Sequence, residues 1–244
     1  MPNIHDLSIK LFADGADLAT IAEVRRNPWI KGFTTNPTLM RKAGIEDYEI
    51  FARDLLRVVP DLPVSFGLFA DDEKGMEVQA RVIASWGSNV NVKVPVTDQV
   101  GNFTGSLIRR LSSSGIVVNV TAVFTLEQIE RVIEALDTNT PAIISVFAGR
   151  IADTGVDPVP LIRQARILLD ACPRTELLWA SPREALNIFQ ADCAGCDIIT
   201  VPPEILSKLS LIGKDLTDYS LETVHMFHHD ALAAGYNIDS GVPA

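Results

Sequence analysis

The sequence predicts a single α/β domain folded as a (β/α)8 TIM barrel, with one additional C-terminal helix. Three observations carry that expectation. Short apolar strand signals recur in order along the chain, and most of the stretches between them read as helices. Eight such units fit within roughly 210 residues, the compact end of this fold. The first strand ends in Asp14-Gly15-Ala16-Asp17, so it lacks the G-x-G-x-x-G turn of a doubly wound open sheet, the rival architecture.

The expected strands are Ile9 to Asp14, Gly32 to Thr35, Val64 to Ala70, Val90 to Val96, Val117 to Val123, Ala142 to Gly149, Glu176 to Ser181 and Asp197 to Val201. Helices are expected over Leu18 to Arg26, Ile45 to Val58, Asp72 to Trp86 and Gly101 to Ser114. Strand two is followed first by a broken stretch. Asp71 or Asp72 is a plausible cap for the helix after strand three. Further helices are expected over Leu126 to Leu136, Pro160 to Asp170, Pro182 to Ala191 and Pro203 to Leu209. Ser181 reads as the cap of the helix beginning at Pro182, with proline at its favoured first position. The barrel is expected to fill residues 1–217. Residues 218–244 form the extra helix and tail, capping the barrel bottom or reaching a neighbouring subunit.

Composition narrows the function. The net charge of -10 argues against a nucleic-acid surface, because phosphate backbones need concentrated positive charge. It leaves room for one small phosphate site built on an arginine. No apolar run is long enough to span a bilayer, and the first residues lack a signal-peptide core. Three cysteines do not make a secreted disulfide framework, so the cytoplasm is the expected location. Cys193-Ala194-Gly195-Cys196 spells C-x-x-C, but it follows a helix and precedes a strand, the reverse of the redox arrangement. No second cysteine pair completes a zinc site. His225 and His229 share a helical face, yet nothing specifies further ligands.

Polar residues interrupt the strands where a structural barrel would carry branched apolar ones. Lys93 stands in Asn91-Val92-Lys93-Val94-Pro95, where alternation puts the valines on one face and Asn91 and Lys93 on the other. A desolvated lysine has a lowered pKa and can form a Schiff base. Asp14 ends strand one and is a candidate acid–base; it could instead cap the helix starting near Ala16. Asn119 and Thr121 share a face of strand five. Thr121 can place a water, and Asn36, Asn119 and Ser181 can hydrogen-bond hydroxyls. Arg150 can grip a phosphate, helped by Ser145, or pair with Asp153. Gly149 permits close backbone approach. Phe147 forms a wall. A self-satisfied polar plug is the bland alternative.

Five segments carry a family resemblance: Leu11-Phe12-Ala13-Asp14, Thr34-Thr35-Asn36-Pro37, Val92-Lys93-Val94-Pro95, Asn119-Val120-Thr121-Ala122 and Ser145-Val146-Phe147-Ala148-Gly149-Arg150. In this order, at strand ends, they resemble the transaldolase family, especially its small branch that includes the fructose-6-phosphate aldolases. The resemblance runs from Leu11 to about Asp230. It implies a barrel with Lys93 as the Schiff-base lysine and Asp14 as acid–base. It implies Thr121 as the third catalytic residue. Thr35, Asn36, Asn119, Phe147 and Ser181 lie around the substrate, and Ser145 and Arg150 hold its phosphate. It implies transfer of a dihydroxyacetone unit between sugar phosphates, with no metal or organic cofactor. It also implies a homo-oligomer, a pentamer or decamer, whose C-terminal helix packs on the neighbour. One position departs from the pattern. Transaldolases carry glutamate on strand three and the aldolase branch carries glutamine; this chain has Gly67 there. The departure opens two other readings: an aldolase releasing free dihydroxyacetone, and a non-catalytic sugar-phosphate-binding protein.

Overall fold

The computed structural model describes residues 3–238. Among the described residues, 7–208 form one compact unit, and residues 3–6 with 209–238 form another. In the first unit, strands and helices alternate along the chain. They begin with β1 (Lys10–Asp14), α1 (Leu18–Val24), β2 (Ile30–Thr34), α2 (Pro37–Lys42), α3 (Tyr48–Val58), β3 (Val64–Gly67) and α4 (Glu73–Ala84). Next come β4 (Val90–Pro95), α5 (Gly105–Ser113), β5 (Val118–Val123), α6 (Leu126–Ala135), β6 (Ala142–Val146), α7 (Ala148–Asp153) and α8 (Val159–Leu168). The unit ends with β7 (Thr175–Trp179), α9 (Leu186–Ala194), β8 (Ile198–Val201) and α10 (Pro203–Leu206). The eight strands are all parallel and close in sequence order into a barrel. The expected architecture is therefore the observed one.

Alternation decides what each strand shows to each side. Val92 and Val94 of β4, and Val118 and Val120 of β5, are fully buried on the outer, helix-facing side. The inner side changes character along the strands. Toward their N-terminal ends, Phe12, Ile143, Leu178 and Ile198 form one buried cluster. Gly32 leaves room for it, since a Cβ there would lie 2.5 Å from the Phe12 ring. Two residues further along the same faces stand Asp14, Ser145 and Thr200. An apolar plug thus closes the bottom, and polar side chains line the top.

Helix caps follow sequence chemistry. Asp17, Asp47 and Asp72 each accept a backbone N–H at the start of α1, α3 and α4. Thr125 and Gln128 form a reciprocal capping box on α6.

Several boundaries differ from expectation. The broken stretch after strand two is a helix, α2, capped by Asn36 with Pro37 in its first turn. Strand three stops at Gly67, and strand six stops at Val146 because Phe147 already turns the chain into α7. Ser181 is not a helix cap. Its φ is 58°, in the left-handed region, whereas a cap needs extended backbone; α9 starts only at Leu186. The N–H groups of Arg183 and Glu184 are taken by the Asn187 side chain instead.

In the second unit, α11 (Leu216–Ala233) is an 18-residue helix capped by Asp215. None of its residues is buried, and Leu216, Val224, Phe227 and Leu232 are each more than half exposed. The last part of the expected tail, residues 239–244, lies outside the described residues. Among the described residues no helix is long and apolar enough to cross a membrane.

Candidate active site

The polar inner faces converge on a cavity of about 470 Å³ at the C-terminal end of the barrel. Ten residues singled out from the sequence line or touch it: Lys93, Asp14, Thr121, Thr35, Asn36, Asn119, Phe147, Ser181, Ser145 and Arg150. They come from six strands or the loops just after them, so the fold rather than the chain order brings them together.

Lys93 sits in the middle of β4, with Gly67 beside it on β3 and Asn119 beside it on β5. Its Nζ donates to the Thr35 carbonyl at 2.9 Å. Burial pushes its pKa below that of an ordinary lysine, and the Asp14 carboxylate opposes that shift. Burial likewise raises the Asp14 pKa, against the pull of Lys93 and of two hydrogen bonds. At Asp14, desolvation is the larger effect, outweighing the nearby positive charge. Burial thus favours the neutral amine, the form able to attack a carbonyl, and makes the Asp14 carboxylate a stronger base than a free one.

Asp14 is held rather than loose. The Thr34 hydroxyl donates to its Oδ1 at 2.8 Å, and the Asn36 amide donates to its Oδ2 at 3.0 Å. Thr34 spends its only hydrogen on Asp14, so the hydroxyl of Thr200, 2.5 Å away, donates to Thr34. Asn36 also accepts the Leu39 N–H as the cap of α2, which fixes its amide orientation. Asp14 does not cap α1; Asp17 does that.

A second chain runs across the floor. Ser145 donates to Asn119 Oδ1 at 2.7 Å, and Asn119 donates to Ser65 Oγ at 3.2 Å. The Thr35 hydroxyl donates to the Ser65 carbonyl. Thr121 lies where the β5–β6 register breaks, just before Ala122 with φ 61°. Such a bulge re-aims a side chain. Ser181 is the other non-glycine residue with positive φ among the described residues. Strained backbone at two rim positions is a common mark of a functional site.

Arg150 is exposed in α7 and makes no ion pair among the described residues. Asp153, its expected rival partner, is held bidentately by Arg183 at 2.8 and 2.5 Å. The Arg150 guanidinium instead lies 5.3 Å from the centre of the Phe147 ring. Gly149 is what lets α7 approach: a Cβ there would fall 1.5 Å from the Ser181 carbonyl oxygen.

Four participants were given no role from sequence. Thr200 is an inward polar residue in Ile198-Ile199-Thr200-Val201, so alternation could have found it. Thr34 and Ser65 follow the same rule on β2 and β3. Tyr48 carries no such signal: from α3 its hydroxyl donates to the Gly67 carbonyl at 3.1 Å and accepts the Gly67 N–H at 2.8 Å.

Nothing in this cavity resembles a metal centre, and no group of three metal-ligating side chains occurs among the described residues. Cys193 ends in α9 and Cys196 is buried, with its thiol pKa pushed up, the opposite of an activated thiolate.

Comparison with known proteins agrees with this geometry. The family model described as Transaldolase/Fructose-6-phosphate aldolase matches residues 11–242. A protein named "Probable transaldolase" from Chelativorans sp. (strain BNC1) is 37% identical over 216 residues, covering 88% of this chain and 94% of that one. Its namesake from Hyphomonas neptunium (strain ATCC 15444) is 36% identical, covering 94% and 100%. Among solved structures, KGPDC from Streptococcus mutans superposes with a TM-score of 0.55 at 10% identity, covering 80% of this chain and 88% of that one. That likeness concerns the fold alone. Sequence match and barrel together lead to one statement: this chain belongs to the transaldolase/fructose-6-phosphate aldolase family of sugar-phosphate enzymes.

Proposed function

We propose that the protein transfers a dihydroxyacetone unit from a ketose phosphate to an aldose or aldose-phosphate acceptor through a Schiff base on Lys93. One observation carries this reading: a half-buried amine and a half-buried carboxyl face the same cavity, with an unpaired arginine beside it. The neutral Lys93 amine attacks the ketone carbon, and the carbinolamine loses water to give an iminium. Asp14 takes the proton of the C4 hydroxyl as the C3–C4 bond breaks, leaving an enamine on Lys93 and releasing an aldose. The enamine then adds to the acceptor aldehyde, Asp14 returns the proton, and water frees the product.

Thr121 holds the water for the dehydration and hydrolysis steps. Asn36, Asn119, Thr35 and Ser181 position the dihydroxyacetone hydroxyls, with Phe147 as a wall. Arg150, with Ser145, receives the phosphate; its guanidinium has no carboxylate to displace. Every step uses side chains of this chain, with no metal or organic cofactor.

Borohydride reduction in the presence of fructose 6-phosphate tests the proposal. A dihydroxyacetone-derived mass on Lys93 is the expected product. No adduct with any ketose phosphate overturns it.

Gly67 favours a second reading, an aldolase that releases free dihydroxyacetone. The residue beside Lys93 brings no acid–base group of its own. Measuring free dihydroxyacetone with and without an acceptor aldehyde separates the two.

We also propose that copies of this chain associate through α11 into a homo-oligomer, a pentamer or decamer, with residues 218–244 seated on a neighbour. An 18-residue helix without a buried residue, bearing Val224, Phe227 and Leu232, supports this. Three free cysteines fit a reducing cytoplasm.

A further inference from the structure

Gly67 is the place where the inner lining of the barrel is missing. It faces inward, since Ser65 two residues earlier does so through its contact with Asn119. It pairs directly with Lys93 in the β3–β4 register. Its φ lies outside the left-handed region, so nothing in the backbone requires a glycine. A Cβ built there meets nothing within 4 Å. The backbone around the gap is nonetheless fixed, because Tyr48 holds both the N–H and the carbonyl of Gly67 from outside the barrel. The opening is therefore rigid space beside the reactive amine rather than a collapsible loop.

The surroundings say what suits that space. The β5 and β6 side of the cavity is filled by Asn119, Thr121 and Ser145, with Asn119 bonded at both amide atoms. Around Gly67 the β2 and β3 side offers Pro37, Leu39 and Leu68; its polar members Thr35 and Asn36 already spend their hydrogen bonds on Ser65, Asp14 and Leu39, and it brings no charged side chain other than Lys93 beside it. Burying a charged or strongly polar group there without partners is costly, whereas an apolar group gains from leaving water.

Resting on the Schiff-base reading, the orientation of a bound ketone follows. Its carbonyl carbon is bonded to Lys93. The hydroxyl-bearing carbon that Asp14 serves faces β1 and β2. For the remaining substituent, β3 offers open space at Gly67, whereas β5 is filled.

We propose that Gly67 forms an apolar subsite beside Lys93 for α-hydroxyketones whose second substituent is an alkyl group larger than hydroxymethyl. The amine condenses with the ketone, water leaves, and the alkyl group occupies the space over Gly67 and against Leu68. Residue 67 then sets substrate size on this side of the Schiff base.

The test compares two ketones, dihydroxyacetone and 1-hydroxy-2-pentanone, for adduct formation on Lys93. Borohydride adds hydride to the iminium carbon and leaves a stable secondary amine that mass spectrometry counts. The quantity read is the ratio of the two trapping rates within each variant, which does not depend on how much of that variant folds. In the unaltered chain the longer ketone is trapped at least as fast. In Gly67→Ala the ratio falls, and in Gly67→Val it falls by about tenfold or more, the scale of one or more methylenes denied a pocket. A ratio that is the same in Gly67→Val as in the unaltered chain overturns the subsite. So does an unaltered chain that already rejects the longer ketone tenfold. Trapping of dihydroxyacetone on Lys93 in that last case leaves the Schiff-base reading standing while removing the subsite. Absence of any adduct with either ketone removes both.

Discussion

Replacing Gly149 with alanine tests the tightest approach in the molecule. The added Cβ would stand 1.5 Å from the Ser181 carbonyl oxygen, where ordinary contact begins at 3.4 Å. That oxygen is backbone, so no side chain can swing aside. The gap between α7 and the end of β7 must widen by about 2 Å, since real contacts do not fall much below the ordinary limit. The Gly149 N–H bond to the Ala180 carbonyl, already 3.3 Å, breaks with it. Overpacking of this kind costs about 1–3 kcal/mol or more. At about 2–4 °C per kcal/mol for a domain of this size, the melting temperature falls by several degrees. Function suffers more than stability. Arg150 and Ser181 lie directly on the two segments forced apart, and about 1 Å of misplacement can cost on the order of a hundredfold in rate. Turnover of fructose 6-phosphate should fall by about that factor, and Lys93 trapping by unphosphorylated dihydroxyacetone should fall less, since it depends on Ser181 but not on Arg150. A Gly149→Ala protein with unchanged melting temperature and unchanged kcat/KM for the phosphorylated donor would show the reasoning to be wrong.

Three further predictions follow from neighbouring observations. Asp14→Asn removes the charge that raises the Lys93 pKa, so the pH at which trapping reaches half its maximum should move lower; a move upward refutes the electrostatic pairing. Tyr48→Phe leaves the Gly67 N–H and carbonyl without their partner and should cost about 1–3 kcal/mol by thermal or urea unfolding. A melt indistinguishable from the unaltered chain would mean water replaces the phenol freely. Truncation before Asp215 should lower the mass seen by light scattering to that of a single subunit. Persistence of the assembly would assign its contacts elsewhere.

The architecture was legible because alternation is a local signal. Each strand announces its two faces within a few residues, and eight such signals in sequence leave few folds to choose from. Lys93, Asp14 and Asn119 were legible for the same reason, as polar residues at inward positions. Thr200 obeys the same rule and escaped only because a single threonine between isoleucine and valine resembles ordinary strand chemistry. The end of strand seven was misjudged for a different reason. Ser-Pro has the spelling of a helix start, but Ser181 takes a left-handed φ that tertiary packing against Gly149 accompanies and no local pattern reveals. The bond from Tyr48 to Gly67 joins a helix to a strand 19 residues apart, and no periodicity encodes it. The direction of the Asp14 shift was also out of reach, because weighing burial against a nearby cation requires knowing both.

The ladders of the barrel are unequal. Strands two and three share two registered pairs, as do strands seven and eight, while every other junction has four or five. Those thin seams divide the staves into two blocks. One, made of β8, β1 and β2, carries Thr200, Asp14 and Thr34; the other, β3 through β7, carries Lys93, Asn119 and Ser145. Asp14 and Lys93 thus ride on opposite sides of the thinnest seams. The bond from Lys93 to the Thr35 carbonyl crosses one joint like a clasp. Under the proposed chemistry, capture of a ketone draws on the same hydrogens that hold this clasp, while the bonds from Thr35 to the Ser65 carbonyl keep the seam joined.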